Sequence, residues 1–334
     1  MENSVTPVKY NPIPALRRFA SAITVLNIAG HFFLGFEQSW AYPLVAIATT
    51  YTLEFLFEFC FCYLNKKKTK YSGGFVNMVD FLLPAHITGM ATSMLLFANA
   101  SLYPIVFASA VAICSKVIFR LNAGGRSRHF LNPSNTGIAV TLILFPWVGI
   151  SPPYMFTENL YGIGDWILPG ILVMAGTLLN RVFTGRITLI IAWVFGFFLQ
   201  AFIRSLFFDI SFVAGLLPFT GVAFLLFTFY MISDPATTPQ SKKGQIIFAL
   251  STAFFYGVLM MFHVVFGLFF ALLITCSLRG LFIYVSQLMS NYKYKDISES
   301  EMVASGYTYE TTTSLQFTNS KENGRNSFMT DKNK

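Results

Sequence analysis

Charge is scarce in this chain. Of its 334 residues only 11% are Asp, Glu, Lys or Arg, against roughly 25% in an ordinary soluble domain. That leaves too little polar surface for a plain cytosolic enzyme or a secreted domain. The formal net charge of +8 is spread along the chain and forms no single basic face, so nucleic acid is excluded as a partner. Cysteine is almost missing as well. Cys60, Cys62, Cys114 and Cys276 all fall within apolar runs, which excludes a disulfide framework. Cys60 and Cys62 lie about 200° apart around a helix and would face opposite sides, which suits small apolar packing groups better than a shared metal. His31, His86, His129 and His263 show no His-x-x-x-His spacing, and no metal is predicted. Apolar residues make up the balance: 54% are hydrophobic, with 38 Phe and 15 Tyr. The composition is that of an integral membrane protein.

A helix that crosses a bilayer needs roughly 20 mainly apolar residues. Ten such runs can be read: 19–36, 41–63, 79–98, 102–119, 136–150, 166–184, 187–208, 211–232, 245–262 and 264–288. The fifth is short and is expected to be tilted, broken or partly re-entrant. Basic residues test the count independently. They precede run one (Lys9, Arg17, Arg18) and recur in every second connection: Lys66–Lys70, Arg120–Arg128, Arg181 and Arg186, Lys242 and Lys243, then Lys293 and Lys295. The alternate connections hold no Lys or Arg. Lys116 and Arg279 sit late in runs that descend to the basic side, where they can snorkel, and Asp209 is the expected partner of Arg204. The positive-inside rule then predicts a multi-pass protein of the cell (inner) membrane with both termini cytoplasmic. Three regions follow: an N-terminal cytoplasmic segment 1–18, a ten-helix membrane domain 19–288, and a polar, disordered cytoplasmic tail 289–334. Arg17-Arg18 opens an uncleaved first anchor rather than an export signal.

Ten runs divide into two sets of five, and an odd-numbered repeat must be inverted across the membrane. Leu83-Pro84 in run three and Leu217-Pro218 in run eight are its faint echo. The predicted fold class is therefore all-α and integral to the membrane, an inverted 5+5 repeat, with broken helices at two polar Pro turns. These are Asn132-Pro-Ser-Asn-Thr136 and Asp234-Pro-Ala-Thr-Thr238. Asn, Ser, Asp and Thr cap helix starts, and a capped N-terminus favours an anion such as phosphate; ordinary capping is the alternative. Arg126 and Arg128 in the loop 122–129 suit a phosphate, although orientation alone also places Arg there. Glu54 and Glu58, four apart, share a helix face. Intramembrane carboxylates mark ion or proton pathways by default. His86, just past Pro84, joins them as a candidate.

The runs Arg128-His-Phe-Leu-Asn-Pro-Ser-Asn-Thr-Gly137 and Met231-Ile-Ser-Asp-Pro-Ala-Thr-Thr-Pro239 resemble the NqrB/RnfD family. Its members are membrane subunits of sodium-pumping quinone reductase and of the Rnf electron-transport complex. Ser233 stands where the second signature has Thr. Leu16-Arg-Arg-Phe-Ala20, Gly35-Phe-Glu-Gln-Ser-Trp40, Leu83-Pro-Ala-His-Ile-Thr-Gly89, Ser151-Pro-Pro-Tyr154 and Phe156-Thr-Glu-Asn-Leu160 are more similar still to the UnbU branch, which is associated with enediyne biosynthesis. The resemblance covers residues 10–288. It implies a urea-transporter-like ten-helix fold, other membrane or redox subunits as partners, and a flavin (FMN or riboflavin). The flavin would lie near Arg126, Arg128, Asn132, Asn135, Asp234, Thr237 and Thr238. The family's FMN is commonly linked to a Thr within Ser-Gly-Ala-Thr. Loop 151–165 has no such motif, and Thr157 is its only threonine, which speaks against covalent attachment. The alternative function is a channel or transporter for a small solute or metabolite on the same scaffold.

Overall fold

Each of the ten apolar runs is helical in the computed structural model. Residues 13–123, 126–208 and 210–304 are described, without the side chains of Ala123, Arg126, Pro153 and residues 291–304. Asp209, the Gly124-Gly125 pair and the tail from 305 onward lie outside the described residues.

Helix α1 (Ile13–Ala29) continues into a π-helical turn, Gly30–Leu34. It is followed by α2 (Ala41–Asn65), α3 (Phe75–Leu95), α4 (Tyr103–Ile118) and α5 (Pro133–Leu144). Helix α6 (Gly164–Leu178) also runs into a π-helical turn, Leu179–Thr184, and leads to α7 (Ile187–Phe207). The eighth run is in pieces: α8 (Phe212–Leu216), a 3-10 turn Leu217–Thr220, α9 (Val222–Leu226) and a π-helical turn Phe227–Met231. Helices α10 (Lys242–Met261) and α11 (Gly267–Ala304) complete the order. Four short strands, β1 (Leu96–Phe97), β2 (Arg120–Ala123), β3 (Arg126–His129) and β4 (Gly149–Ile150), form two antiparallel pairs, β1 with β4 and β2 with β3.

Five helical stretches are long and apolar enough to cross a membrane: Ala41–Asn65, Gly164–Thr184, Ile187–Phe207, Lys242–Met261 and Gly267–Ser290. The bent pair Phe212–Thr220 and Val222–Met231 makes a sixth if it is one span. This is a multi-pass membrane protein whose outward apolar side chains, Phe195, Ile191 and Phe254 among them, contact the lipid bilayer. Without water to drive helix association, close packing has to hold the helices together. Glycine provides it. A Cβ on Gly137 would lie 2.2 Å from the Ala108 carbonyl oxygen of α4, and one on Gly196 would lie 2.7 Å from Ala253 Cβ of α10. Between α7 and α9, buried Trp193 stacks on Phe224 and donates Nε1–H to Thr228 Oγ1 at 3.0 Å.

Several expectations change. Helix α5 has 12 residues, about 18 Å of rise against a hydrocarbon core of roughly 30 Å. The break expected at the Asp-Pro turn lies earlier in the run: α8 and α9 meet at 72° around Pro218 and Gly221, whose extended backbone (φ −89°, ψ 143°) ends the ladder. Asn132-Pro133 starts α5 as a cap and first-turn proline, and interrupts no helix. Pro84 lies inside α3, which stays continuous. Helix also extends past the expected boundary at 288 as far as Ala304, because residues 291–304 contain no Pro or Gly to break it. By contact the chain divides into Met1–Phe282, which carries the first ten helices and the start of α11, and Ile283–Lys334.

Candidate functional site: an internal cavity with a cationic end

The first unit encloses a cavity of about 1160 Å³. Along one wall run Ala15 to Leu26 of α1 and Pro84 to Leu95 of α3; the facing wall comes from α6 with its π-helical turn and from Leu226–Met231. One end is polar. It is built from the β2–β3 hairpin, the first residues of α5, Arg186 and the turn Asp234-Pro235-Ala236.

Local capping explains why these groups converge. Asn132 Oδ1 accepts from the Asn135 backbone N–H (3.0 Å) and from Ser134 Oγ (3.0 Å), closing the first turn of α5. Asn132 Nδ2 then donates to the Met231 carbonyl oxygen at 3.2 Å. One asparagine therefore joins the Asn-Pro turn to the segment that leads into the Asp-Pro turn. Asp234 folds its turn upon itself: Oδ1 accepts from the Ala236 N–H (3.0 Å) and Oδ2 from Thr237 Oγ1 (3.2 Å). Two guanidiniums hold the carbonyls of this turn. Arg279 Nη1 donates to Thr237 O at 2.6 Å and Arg186 Nη2 to Pro235 O at 3.4 Å.

The polar end is electropositive. Lys116, Arg120, Arg128 and Arg186 line the cavity, against one carboxylate, Asp234. Lys116 is neutralised by Glu54, with contacts of 2.6 and 2.8 Å, and Arg120 donates to Ser127 Oγ and Ser127 O, both at 3.0 Å. Arg128 is half-buried, and among the described residues its guanidinium makes no hydrogen bond or ion pair. Burial pushes the His129 imidazole below its ordinary pKa, partly opposed by the charge of Asp234, so it is neutral at neutral pH.

The sequence candidates sort by position. Arg128, Asn132 and Asp234 line the cavity. Asn135, Thr237 and Thr238 are buried beside it and bonded to backbone: Asn135 Nδ2 to Phe269 O (3.0 Å) and Thr238 Oγ1 to Asp234 O (2.6 Å). The Arg126 side chain lies outside the described residues. Thr157 is not on the cavity wall; it ends the turn Pro153–Phe156, with its N–H bonded to Tyr154 O at 2.9 Å. Glu54 and Glu58 share no site, because each has its own lysine. Glu58 accepts from Lys70 Nζ (2.8 Å) and from the Lys70 N–H (2.9 Å). His86 bridges Tyr51 OH (2.8 Å) and Thr24 Oγ1 (2.7 Å) on the α1–α2 side of α3, away from the cavity. Among the described residues no group of three or more His, Cys, Asp or Glu gathers.

Lys116, Arg186 and Ser134 are site residues that sequence reasoning did not single out. Lys116 and Arg279 were expected to snorkel; instead both turn inward, toward Glu54 and the Thr237 carbonyl. The signal for Lys116 was present, since a lysine and a glutamate in neighbouring apolar runs can neutralise each other. Fold and cavity together define a multi-pass membrane protein with a cavity between its helices. No protein-family model matches the chain, and no curated protein matches it either.

Proposed function

We propose that the chain is an NqrB/RnfD-like membrane subunit of an electron-transport system, of the UnbU kind, which holds a flavin noncovalently in this cavity and works with other membrane or redox subunits. The cavity carries the reading. It brings together Asn132 and Asp234, one from each of the two signature turns, beside Arg128, whose guanidinium has no partner among the described residues. The donors fit a flavin phosphate: the Arg128 guanidinium beside the positive end of α5. Phe19 and Tyr230, both on the wall, stack with ring centroids 5.2 Å apart and give a planar ring system an aromatic surface to lie on. A bound flavin would supply the electron-transfer chemistry, while the chain binds it, orients it and excludes water. Thr157 lies off the cavity, so the reading is of a releasable cofactor.

Ten spans in an inverted 5+5 repeat, with both termini cytoplasmic in the inner membrane, belong to the same proposal. A shared helix ending supports it. The Phe36 N–H bonds to Gly30 O (3.0 Å) and the Arg186 N–H to Asn180 O (2.9 Å), six residues back in each case. Each follows a π-helical turn and a left-handed glycine, Gly35 (φ 94°) or Gly185 (φ 66°). These are the ends of the first helix in each set of five. The test is the flavin content of purified protein from cells grown with ample riboflavin. Flavin absorbance that is released on denaturation, with no fluorescent band in a denaturing gel, is expected; Arg128→Gln should lower the occupancy. No flavin under either condition overturns the redox reading.

A further inference from the structure

Past Phe19 and Tyr230 the cavity has a stretch that the flavin reading leaves unused. From Ala15 to Leu26 on α1, and from Pro84 to Leu95 on α3, the wall extends eleven residues, about 16 Å at 1.5 Å per residue. The cationic end is at the start of α1, where Arg18 lies 4.1 Å over the Phe183 ring, close to Arg186. The far end lies at Met94 and Leu95, where the backbone is tied down. Gln38 Nε2 donates to Met94 O (3.2 Å) and Leu96 O (2.6 Å), Ser151 Oγ donates to Met94 O (2.7 Å), and Gln38 also bonds Ser151.

Between those ends the wall is hydrocarbon: Ile23, Leu26, Ile87, Ala91, Met94 and Leu95. The polar side chains that do line the interior are already used. Thr88 Oγ1 donates to Pro84 O (2.8 Å), Asn180 Nδ2 to Phe229 O (2.8 Å) and Ser233 Oγ to Phe229 O (2.6 Å). A ring with several carbonyls and ring nitrogens would be left unsatisfied in this arm, whereas an alkyl chain asks for no partner. The volume, about 1160 Å³, also exceeds the 300–1,000 Å³ of an ordinary small-molecule site. Ala22 lines the cavity and is itself exposed, so the arm opens beside α1.

We propose that the cavity binds an amphipathic phosphate, with its phosphate at Arg128 and the α5 start and its single hydrocarbon chain along the α1–α3 wall. The site is selective for the combination of phosphate and chain. The proposal shares the cavity with the flavin reading but does not rest on it.

The experiment uses the full chain in nanodiscs and measures binding of hexadecyl phosphate, hexadecanol, inorganic phosphate and FMN. Hexadecyl phosphate should bind at least tenfold tighter than either hexadecanol or inorganic phosphate. Arg128→Gln should weaken it about tenfold. Ala22→Phe, which adds bulk at an exposed wall position that tolerates it, should weaken hexadecyl phosphate about tenfold and leave inorganic phosphate unchanged; Ala91→Leu is the second filling variant. Equal binding of hexadecyl phosphate and hexadecanol, or insensitivity to both filling variants, overturns the proposal, since the chain would then sit in the lipid. FMN binding without a preference for hexadecyl phosphate overturns it and leaves the flavin reading standing. Preference for hexadecyl phosphate without FMN binding supports it and removes the flavin.

Discussion

The segments 13–36 and 164–186 end in the same π-turn and glycine cap, yet the helices around them handle buried charge in opposite ways. Around the first, carboxylates meet lysines: Glu54 with Lys116 and Glu58 with Lys70. Around the second, buried guanidiniums donate to carbonyl oxygens of the backbone and of a glutamine side chain. Arg186 bonds Pro235 O, Arg279 bonds Thr237 O and Arg204 bonds the Gln200 side chain at 3.4 Å. The first group is internally neutral. From the second, Arg186 lines the cavity.

The largest effect expected from this difference is at Lys116. Its side chain and that of Glu54 are 16% and 15% exposed, and breaking a buried pair leaves a charge uncompensated, at about 3–5 kcal/mol. Lys116→Met should lower the thermal midpoint in detergent sharply, and adding Glu54→Gln should restore most of it. Lys70→Met is the matching control. Lys70 is 71% exposed, and Glu58 keeps the Lys70 backbone N–H, so the loss should be far smaller. Equal losses at the two lysines would erase the distinction between an internal pair and a boundary pair.

Next come two buried asparagines, one near the end of each of the segments 13–36 and 164–186. Asn180 Nδ2 donates to Gly176 O (2.9 Å) and Phe229 O (2.8 Å), and its Oδ1 accepts from Thr184 Oγ1 at 2.9 Å. Asn27 donates to Ile23 O at 3.0 Å, and its Oδ1 has no partner among the described residues. Asn180→Leu should cost roughly 1–3 kcal/mol, because its bonds to Gly176 O, Phe229 O and Thr184 Oγ1 are lost together. Asn27→Leu, which removes an orphan oxygen, should stay within about 1 kcal/mol of wild type or gain slightly. Chemical unfolding of both variants in one detergent checks the order.

The cap glycines sharpen the comparison further. At Gly185 a Cβ would meet nothing within 4 Å, so Gly185→Ala carries only the left-handed backbone penalty, about 1 kcal/mol. A Cβ on Gly35 would also press Asn159 at 3.1 Å, so Gly35→Ala should cost more. A larger loss at Gly185 would mean that the two caps are not alike.

Much of the helical layout was legible because hydropathy and charge alternation are one-dimensional signals, and helices stand on all ten apolar runs. What the helices do at their interiors was not. Pro84 and Pro218 follow the same Leu-Leu, yet α3 continues through Pro84 and the later run breaks; the difference lies in Gly221, three residues beyond Pro218, whose backbone is extended. The Asn-Pro and Asp-Pro turns were visible as polar interruptions, but not as neighbours in space. They are partners across a cavity, joined by a bond from Asn132 to Met231 that spans 99 positions. Glu54 and Lys116 are 62 apart, and no local pattern could pair them. Loop 151–165 looked like a cofactor attachment site only by its place in the order of runs, and its Thr157 lies off the cavity wall.

The smallest expected effect concerns pH. His129 is lowered by burial among Asp234, Lys116, Arg120 and Glu54; the two carboxylates oppose the shift and the two cations add to it. Between that lowered pKa and the unfolded value near 6.5, the unfolded chain binds more protons than the native one. The contribution of His129 is therefore complete above about pH 6.5 and is lost as the pH falls through this window. His129→Gln should flatten the fall in thermal midpoint between pH 7 and pH 5, with little change at pH 8. Phosphate at Arg128 would supply the negative charge that this end lacks, raise the imidazole pKa and carry a proton in with it. Wild-type protein with bound phosphate should then lose less stability on acidification than the free protein, and His129→Gln should show no such difference. If phosphate protects the variant as well as the wild type at pH 5.5, the anion is held by the arginines alone and His129 does not sense it.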